Sequence, residues 1–152
     1  VAELVLPTTQ DTEAFGRSLG AVLRAGDLVL LSGPLGAGKT ALTRGIAAGL
    51  GVRGRVSSPT FVIARQHPAG ERGVPLVHVD AYRLGGDLAE LDDLDLDSEL
   101  ETSAVVVEWG EGTADRLSDD YLLVRLTRHP DDTRTAALHP HGNWVDRAVP
   151  VS

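Results

Sequence analysis

Eight consecutive residues carry the most specific chemistry in this chain. Gly33-Pro34-Leu35-Gly36-Ala37-Gly38-Lys39-Thr40 fits the spacing G-x-x-x-x-G-K-[ST]. Glycine at this density lets backbone N–H groups turn inward on an anion, and a helix beginning just after the loop adds its positive N-terminal end. In such a cradle Lys39 reaches β- and γ-phosphates, and the Thr40 hydroxyl holds Mg²⁺. The basic residues support this reading by their types. There are 13 Arg and a single Lys, and the Lys is Lys39. A compact ammonium on a flexible stem fits between phosphate oxygens where a planar guanidinium does not.

A phosphate cradle of this kind works with a carboxylate at the end of a neighbouring strand, which organises Mg²⁺ and water. Two segments end in that way, Val105-Val106-Val107-Glu108 and Leu76-Val77-His78-Val79-Asp80. One acid would ligate Mg²⁺, directly or through water, and the other would position the attacking water; the residues alone leave the division open. His78 and Tyr82 flank Asp80, and the ordinary expectation for a histidine near a strand end is a structural bond to backbone. Trp109, beside Glu108, is either a core cover or a wall of the nucleotide site. Ser58-Pro59-Thr60-Phe61 puts a hydroxyl on a turn, which suits either a segment sensing the γ-phosphate or a plain strand entry.

The elements that must position these groups follow from periodicity. The spacing predicts a strand over residues 1–6 and a helix over about 11–23, capped by Thr8 or Thr9, with Ala14, Phe15, Leu19, Val22 and Leu23 on its apolar face. Residues 28–32 are a continuous apolar run of the buried-strand kind. Residues 33–38 read as the loop and 39–50 as the helix after it, ended by Gly49 and Gly51. Further strands are expected over 60–66, 74–79 and 104–107, with a turn-rich connection over 67–75. A late hairpin is expected from 121–127 and 134–138, and the tail from His139 fits no single element. Eight acids interleave with leucines between Asp87 and Glu101, a pattern of one or two short helices with a solvated acidic face, a docking face for a basic partner being the second reading. With no repeat or linker, the 152 residues read as a single α/β domain, residues 1–152, with a mixed central sheet flanked by helices.

Composition narrows the setting. The sequence has no cysteine, which excludes disulfides, thiolate catalysis and cysteine-based zinc sites. No stretch approaches the roughly 18 apolar residues of a membrane span, and the first residues lack a basic flank and long apolar segment. The expectation is a cytoplasmic protein with no membrane association. A formal net charge of −8 argues against a large autonomous nucleic-acid surface.

Four segments in order resemble the TsaE (YjeE) family: Gly33–Thr40, Ser58-Pro59-Thr60-Phe61, His78-Val79-Asp80-Ala81-Tyr82-Arg83-Leu84, and Glu108-Trp109-Gly110-Glu111. One of them alone would indicate only a phosphate loop; the four together are specific. The resemblance implies a P-loop NTPase-like fold and an ATPase using ATP and Mg²⁺. It implies Thr40 and Glu108 as metal ligands, and Lys39 with the amides of Gly33, Leu35, Gly36, Ala37, Gly38, Thr40 and Ala41 as phosphate contacts. Asp80 corresponds to the acid needed for hydrolysis and Thr60 to the switch threonine. Thr8, Thr9 and Arg134 correspond to positions bordering the base. The family works with TsaB and TsaD proteins to make N6-threonylcarbamoyladenosine in tRNA, so the implied partner is a TsaB–TsaD-like complex, with tRNA met only indirectly.

This sequence departs from the family pattern at three places. Pro34 replaces an acid, Ala81 a larger apolar residue, and Ala41 a common hydroxyl residue, which removes about 0.5–1.5 kcal/mol of hydrogen bonding at the α-phosphate. Other functions fit less well. A nucleoside or nucleotide kinase would carry an Arg-rich lid, whereas the loop from Arg128 to Arg134 has two Arg and two Asp. The base-reading motif of GTPases needs a second lysine. A dead binding subunit would not retain Lys39, Thr40 and both acids.

Overall fold

The apolar run Leu28–Ser32 becomes the central strand of a seven-stranded sheet. The computed structural model describes residues 2–34, 37–52, 64–80, 96–108, 119–147 and 149, of which 64, 65, 80, 96 and 97 are described by backbone alone. In chain order the elements are β1 (Ala2–Leu6), α1 (Thr9–Val22), β2 (Leu28–Ser32), α2 (Lys39–Leu50), β3 (Ala64–His67), β4 (Leu76–Asp80), α3 (Leu96–Leu100), β5 (Ala104–Glu108), β6 (Tyr121–Arg128) and β7 (Arg134–His141). A 3-10 turn, Gly142–Asp146, follows β7. The sheet order is β1-β7-β6-β2-β5-β4-β3. β6, β2, β5 and β4 run parallel; β7 and β3 are antiparallel to their neighbours. The mixed sheet flanked by helices is the expected architecture.

Burial explains why β2 and β5 lack polar alternation. Val29, Leu31 and Val106 face the core shared with Phe15 and Leu19 of α1 and Leu42 and Ile46 of α2. Leu28, Leu30, Val105 and Val107 face a second cluster on the other side, with Val77, Val79 and, from α3, Leu100. Strands covered on both faces must be apolar throughout.

α1 begins in a capping box. Asp11 N–H donates to Thr8 Oγ1 at 3.2 Å, and Thr8 N–H donates to Asp11 Oδ2 at 3.0 Å. Its buried face differs from the expected one. Phe15, Leu19 and Leu23 are buried, but Ala14 and Val22 are exposed, and the rest of the face is Thr12, Gly16 and Gly20. The reason is the approach of the two helices. A Cβ on Gly20 would fall on the Ile46 carbonyl, one on Gly45 on the Glu13 carbonyl, and one on Gly49 on the Arg17 carbonyl. Gly49 therefore serves this contact rather than ending α2. Gly51 ends it, with φ 72 and its N–H on Ala47 O at 2.9 Å. Arg72 then donates to Gly20 O at 2.7 Å and Leu23 O at 2.9 Å, closing the end of α1.

The remaining boundaries shift by a few residues. The late hairpin runs longer than expected, to Arg128 and His141, around a turn with Asp132 at φ 68. The ambiguous tail resolves into the end of β7 and the 3-10 turn, which buries Trp144. His67 closes β3 instead of opening the connection to β4. The expected strand start at 60–63 and the expected helices over 87–95 lie outside the described residues.

Candidate functional site

The glycine-rich loop leaves β2 at its carboxyl end and enters α2 directly at Lys39. In open α/β sheets ligands bind outside the carboxyl ends of the strands. Gly33 has φ 147, and a Cβ there would lie 2.6 Å from Leu126 O of β6. Gly38 is the N-cap of α2 at φ 105, with no side-chain cap bond. Leu42 N–H donates to Gly38 O at 2.9 Å, and Ala37 N–H, expected at the phosphates, donates to Pro34 O at 3.1 Å; the first turn of a helix is where backbone donors have no partner within the helix itself. Leu35 and Gly36 lie outside the described residues.

Lys39 is buried, 6% exposed. Its Nζ donates to Gly33 O at 2.5 Å and to Pro34 O at 3.2 Å. The ammonium is thus folded back along the loop and held by carbonyl oxygens at the loop's start. Thr40 is half-buried and Ala41 buried on the first turn, and Thr43 Oγ1 donates to Lys39 O at 2.9 Å.

Register brings the two candidate acids to this place. β2 pairs with β5 with Leu31 opposite Glu108, and β5 pairs with β4 with Glu108 opposite Asp80. The two acids end adjacent strands, and Glu108 stands level with a residue two before Gly33. Glu108 is 4% exposed, and its Oε2 lies 2.6 Å from Nε2 of His78, which is fully buried. This corrects the expectation for His78: it bonds the carboxylate at the end of the neighbouring strand, not backbone. The diagonal offset between His78, opposite Val106, and Glu108 two residues further along β5 makes the contact.

A second cation reaches the loop from the other side. β1 and β7 pair with Leu6 opposite Arg134, so the start of α1 and the start of β7 come together. A Cβ on Gly38 would meet Arg134 Cδ at 3.3 Å, Arg134 Nε at 3.4 Å and Thr12 Cγ2 at 3.6 Å. Arg134 Nε is buried without a hydrogen-bond partner. Of the three positions expected to border the base, Arg134 thus lies against the loop itself. Thr8 and Thr9 open the helix that carries Thr12 there, and the Thr8 hydroxyl is engaged with Asp11 Oδ2 at 2.8 Å. Thr12 was not among the residues singled out in the sequence, since it belongs to none of the motifs. Thr60, Tyr82, Arg83 and Trp109 lie outside the described residues.

Chemically, the arrangement offers a glycine turn leading into a helix start, two cations against it, a hydroxyl on the first helical turn and a buried carboxylate on the adjacent strand. It can hold a polyphosphate, with hard oxygen donors beside it. A family model for threonylcarbamoyl adenosine biosynthesis protein TsaE matches residues 6–136, which spans every one of these groups. The chain belongs to the TsaE family. Relatives named tRNA threonylcarbamoyladenosine biosynthesis protein TsaE include one from Streptomyces coelicolor, 61% identical over 82% of this chain and 84% of that protein. Another, from Mycobacterium tuberculosis, is 56% identical over 86% and 82%. The crystal structure of Bacillus subtilis YdiB superposes with a TM-score of 0.77 at 29% identity, covering 93% of this chain and 86% of that one. TsaE membership makes the chain one of tRNA threonylcarbamoyladenosine biosynthesis. No helix among the described residues is long and apolar enough to cross a membrane.

Proposed function

We propose that this chain is a Mg²⁺-dependent ATPase whose nucleotide cycle acts on a TsaB–TsaD-like complex in tRNA threonylcarbamoyladenosine synthesis. The observation that carries the reading is the convergence of the 33–40 loop and Glu108 through the β2–β5 register, with Lys39 already turned onto the loop. The residues present fit a magnesium ion. Thr40 and Glu108 supply a hydroxyl and a carboxylate, the hard oxygen donors such an ion takes. Among the described residues no group of three or more His, Cys, Asp or Glu side chains is placed to hold a metal. A magnesium ion at a phosphate site is held by one or two protein groups plus substrate phosphates and water.

In this reading the loop amides and the α2 N-terminus receive the β-phosphate, and Lys39 exchanges the Gly33 and Pro34 carbonyls for β- and γ-oxygens. Arg134, against Gly38, closes the nucleotide side of the loop with the start of α1. Thr40 and Glu108 hold the Mg²⁺. When bound, the ion neutralises the charge that builds on the transferring phosphate. Asp80, ending the next strand, orients the attacking water. Turnover by the protein alone is slow, since a cation completing the γ-phosphate site from a partner is worth about 10³–10⁵ in rate. The net charge of −8 leaves most of the tRNA surface to that partner. The test is phosphate release from Mg-ATP by the protein alone, with tRNA, and with a TsaB–TsaD complex. Low release alone and marked stimulation by the complex are expected. Strong stimulation by tRNA alone would overturn the partner assignment, and phosphate transfer to an added nucleoside would replace the ATPase by a kinase.

A further inference from the structure

We infer that His78 is a positioning residue for Glu108: its ring fixes the carboxylate in the orientation that receives the metal. The inference rests on the proposed function, because it takes Glu108 as a metal-holding group. Three observations carry it. First, the bond is short and dry: Nε2 to Oε2 is 2.6 Å, with the His78 side chain fully buried and that of Glu108 5% exposed. Second, a carboxylate only accepts, so the shared proton sits on Nε2. Nδ1 is buried without a partner, so among the described residues Glu108 is the one hydrogen-bond partner of the ring. Third, His78 lies between Val77 and Val79 in a strand whose described side chains are otherwise apolar. Core filling at this position would be served by an aliphatic residue, without burying an imidazole.

The geometry assigns the two carboxylate oxygens different tasks. Oε2 is tied to a ring held rigidly in the β4–β5 pair, which removes rotation about the last side-chain torsion of Glu108. Oε1 takes no part in that bond and would be the oxygen offered to the metal. Outer partners of metal-holding groups are worth about 10–100-fold in metal affinity.

The test measures ATP affinity by calorimetry in Mg²⁺ and in EDTA, for wild type, His78→Leu, His78→Asn and His78→Gln. The ratio of the two affinities isolates the metal. His78→Leu has no donor, and the Asn amide is too short to reach Glu108; both should lose about tenfold or more of the Mg²⁺ increment while affinity in EDTA is kept. His78→Gln, whose amide N–H reaches the place of Nε2, should restore most of it. If His78→Leu does not fold, the Asn and Gln pair makes the same comparison. Retention of the full increment by the Leu or Asn variant overturns the inference, as does an equal loss in Mg²⁺ and EDTA, which is what a purely structural role produces. A wild type whose affinity ignores Mg²⁺ overturns the proposed function and this inference with it.

Discussion

Lys39→Ala tests the site at its centre. In the free protein Nζ donates to Gly33 O at 2.5 Å and Pro34 O at 3.2 Å. Under the proposed function, nucleotide binding exchanges these neutral acceptors for charged phosphate oxygens, and a bond between two ions is roughly twice as strong as one with a neutral partner. If each exchange gains about 1–1.5 kcal/mol, two gain about 2–3 kcal/mol, or about 30–150-fold in affinity. The same substitution removes the two loop bonds from the free protein, so a small loss of thermal stability accompanies it. Titration calorimetry with Mg-ATP measures the first effect and thermal unfolding the second. Lys39→Arg is the informative control: it keeps the charge but presents a planar group to a slot between Gly33 and Pro34 carbonyls, and should not restore affinity. Near-normal affinity and phosphate release in Lys39→Ala would refute the phosphate-cradle reasoning.

Further outcomes follow from the other parts of the structure. Glu108→Gln should weaken Mg²⁺-dependent ATP binding, whereas Asp80→Asn should keep binding and lose turnover; identical behaviour of the two would show that the adjacent strand ends do not divide these tasks. Gly45→Ala puts a Cβ onto Glu13 O and 2.9 Å from Gly16 Cα, so α1 and α2 must separate. A loss of about 1–3 kcal/mol is expected, read as a melting point lower by several degrees. The Asp131 carboxyl is held below the usual carboxylate range, first by the Thr133 hydroxyl at 2.6 Å and then by the Thr133 N–H at 3.0 Å. A folded pKa that is depressed stabilises above the unfolded value and is lost as pH falls through the folded one. Thr133→Val should therefore move the Asp131 titration upward in an NMR pH series, and an unmoved titration would remove the hydroxyl as its main cause.

The sequence by itself determined the elements whose signals are local. The run 28–32 had to be a doubly covered strand because nothing in it tolerates water. Lys39–Leu50 was legible as a helix between a glycine loop and glycines at its end; Gly51 closes it at φ 72, while Gly49, read with it as a terminator, packs on α1. The loop that joins β2 to α2 was equally legible, because its glycines, the lone lysine and the threonine lie within eight residues. The helix face of α1 was misread at Ala14 and Val22. Hydrophobicity counts side chains, while this face is chosen by glycines whose lack of a Cβ lets two backbones touch, and that requirement exists only once α2 is in place.

The site's wider cast depended on tertiary structure for the same reason. Glu108 and Asp80 could each be named as strand-end acids. Which strands lie side by side, and in what register, is settled by pairing between segments 28 residues or more apart in sequence, a property absent from either segment alone. His78 had two ordinary futures, and the diagonal geometry of β4 and β5 turned it onto Glu108 rather than backbone. Arg134 and Thr12, 122 positions apart in sequence, meet over Gly38 because β1 carries the start of α1 along β7. Local propensity writes the glycine-rich loop; the sheet order decides which distant carboxylate, imidazole and guanidinium arrive beside it, because only long-range strand pairing brings the strand ends to one edge.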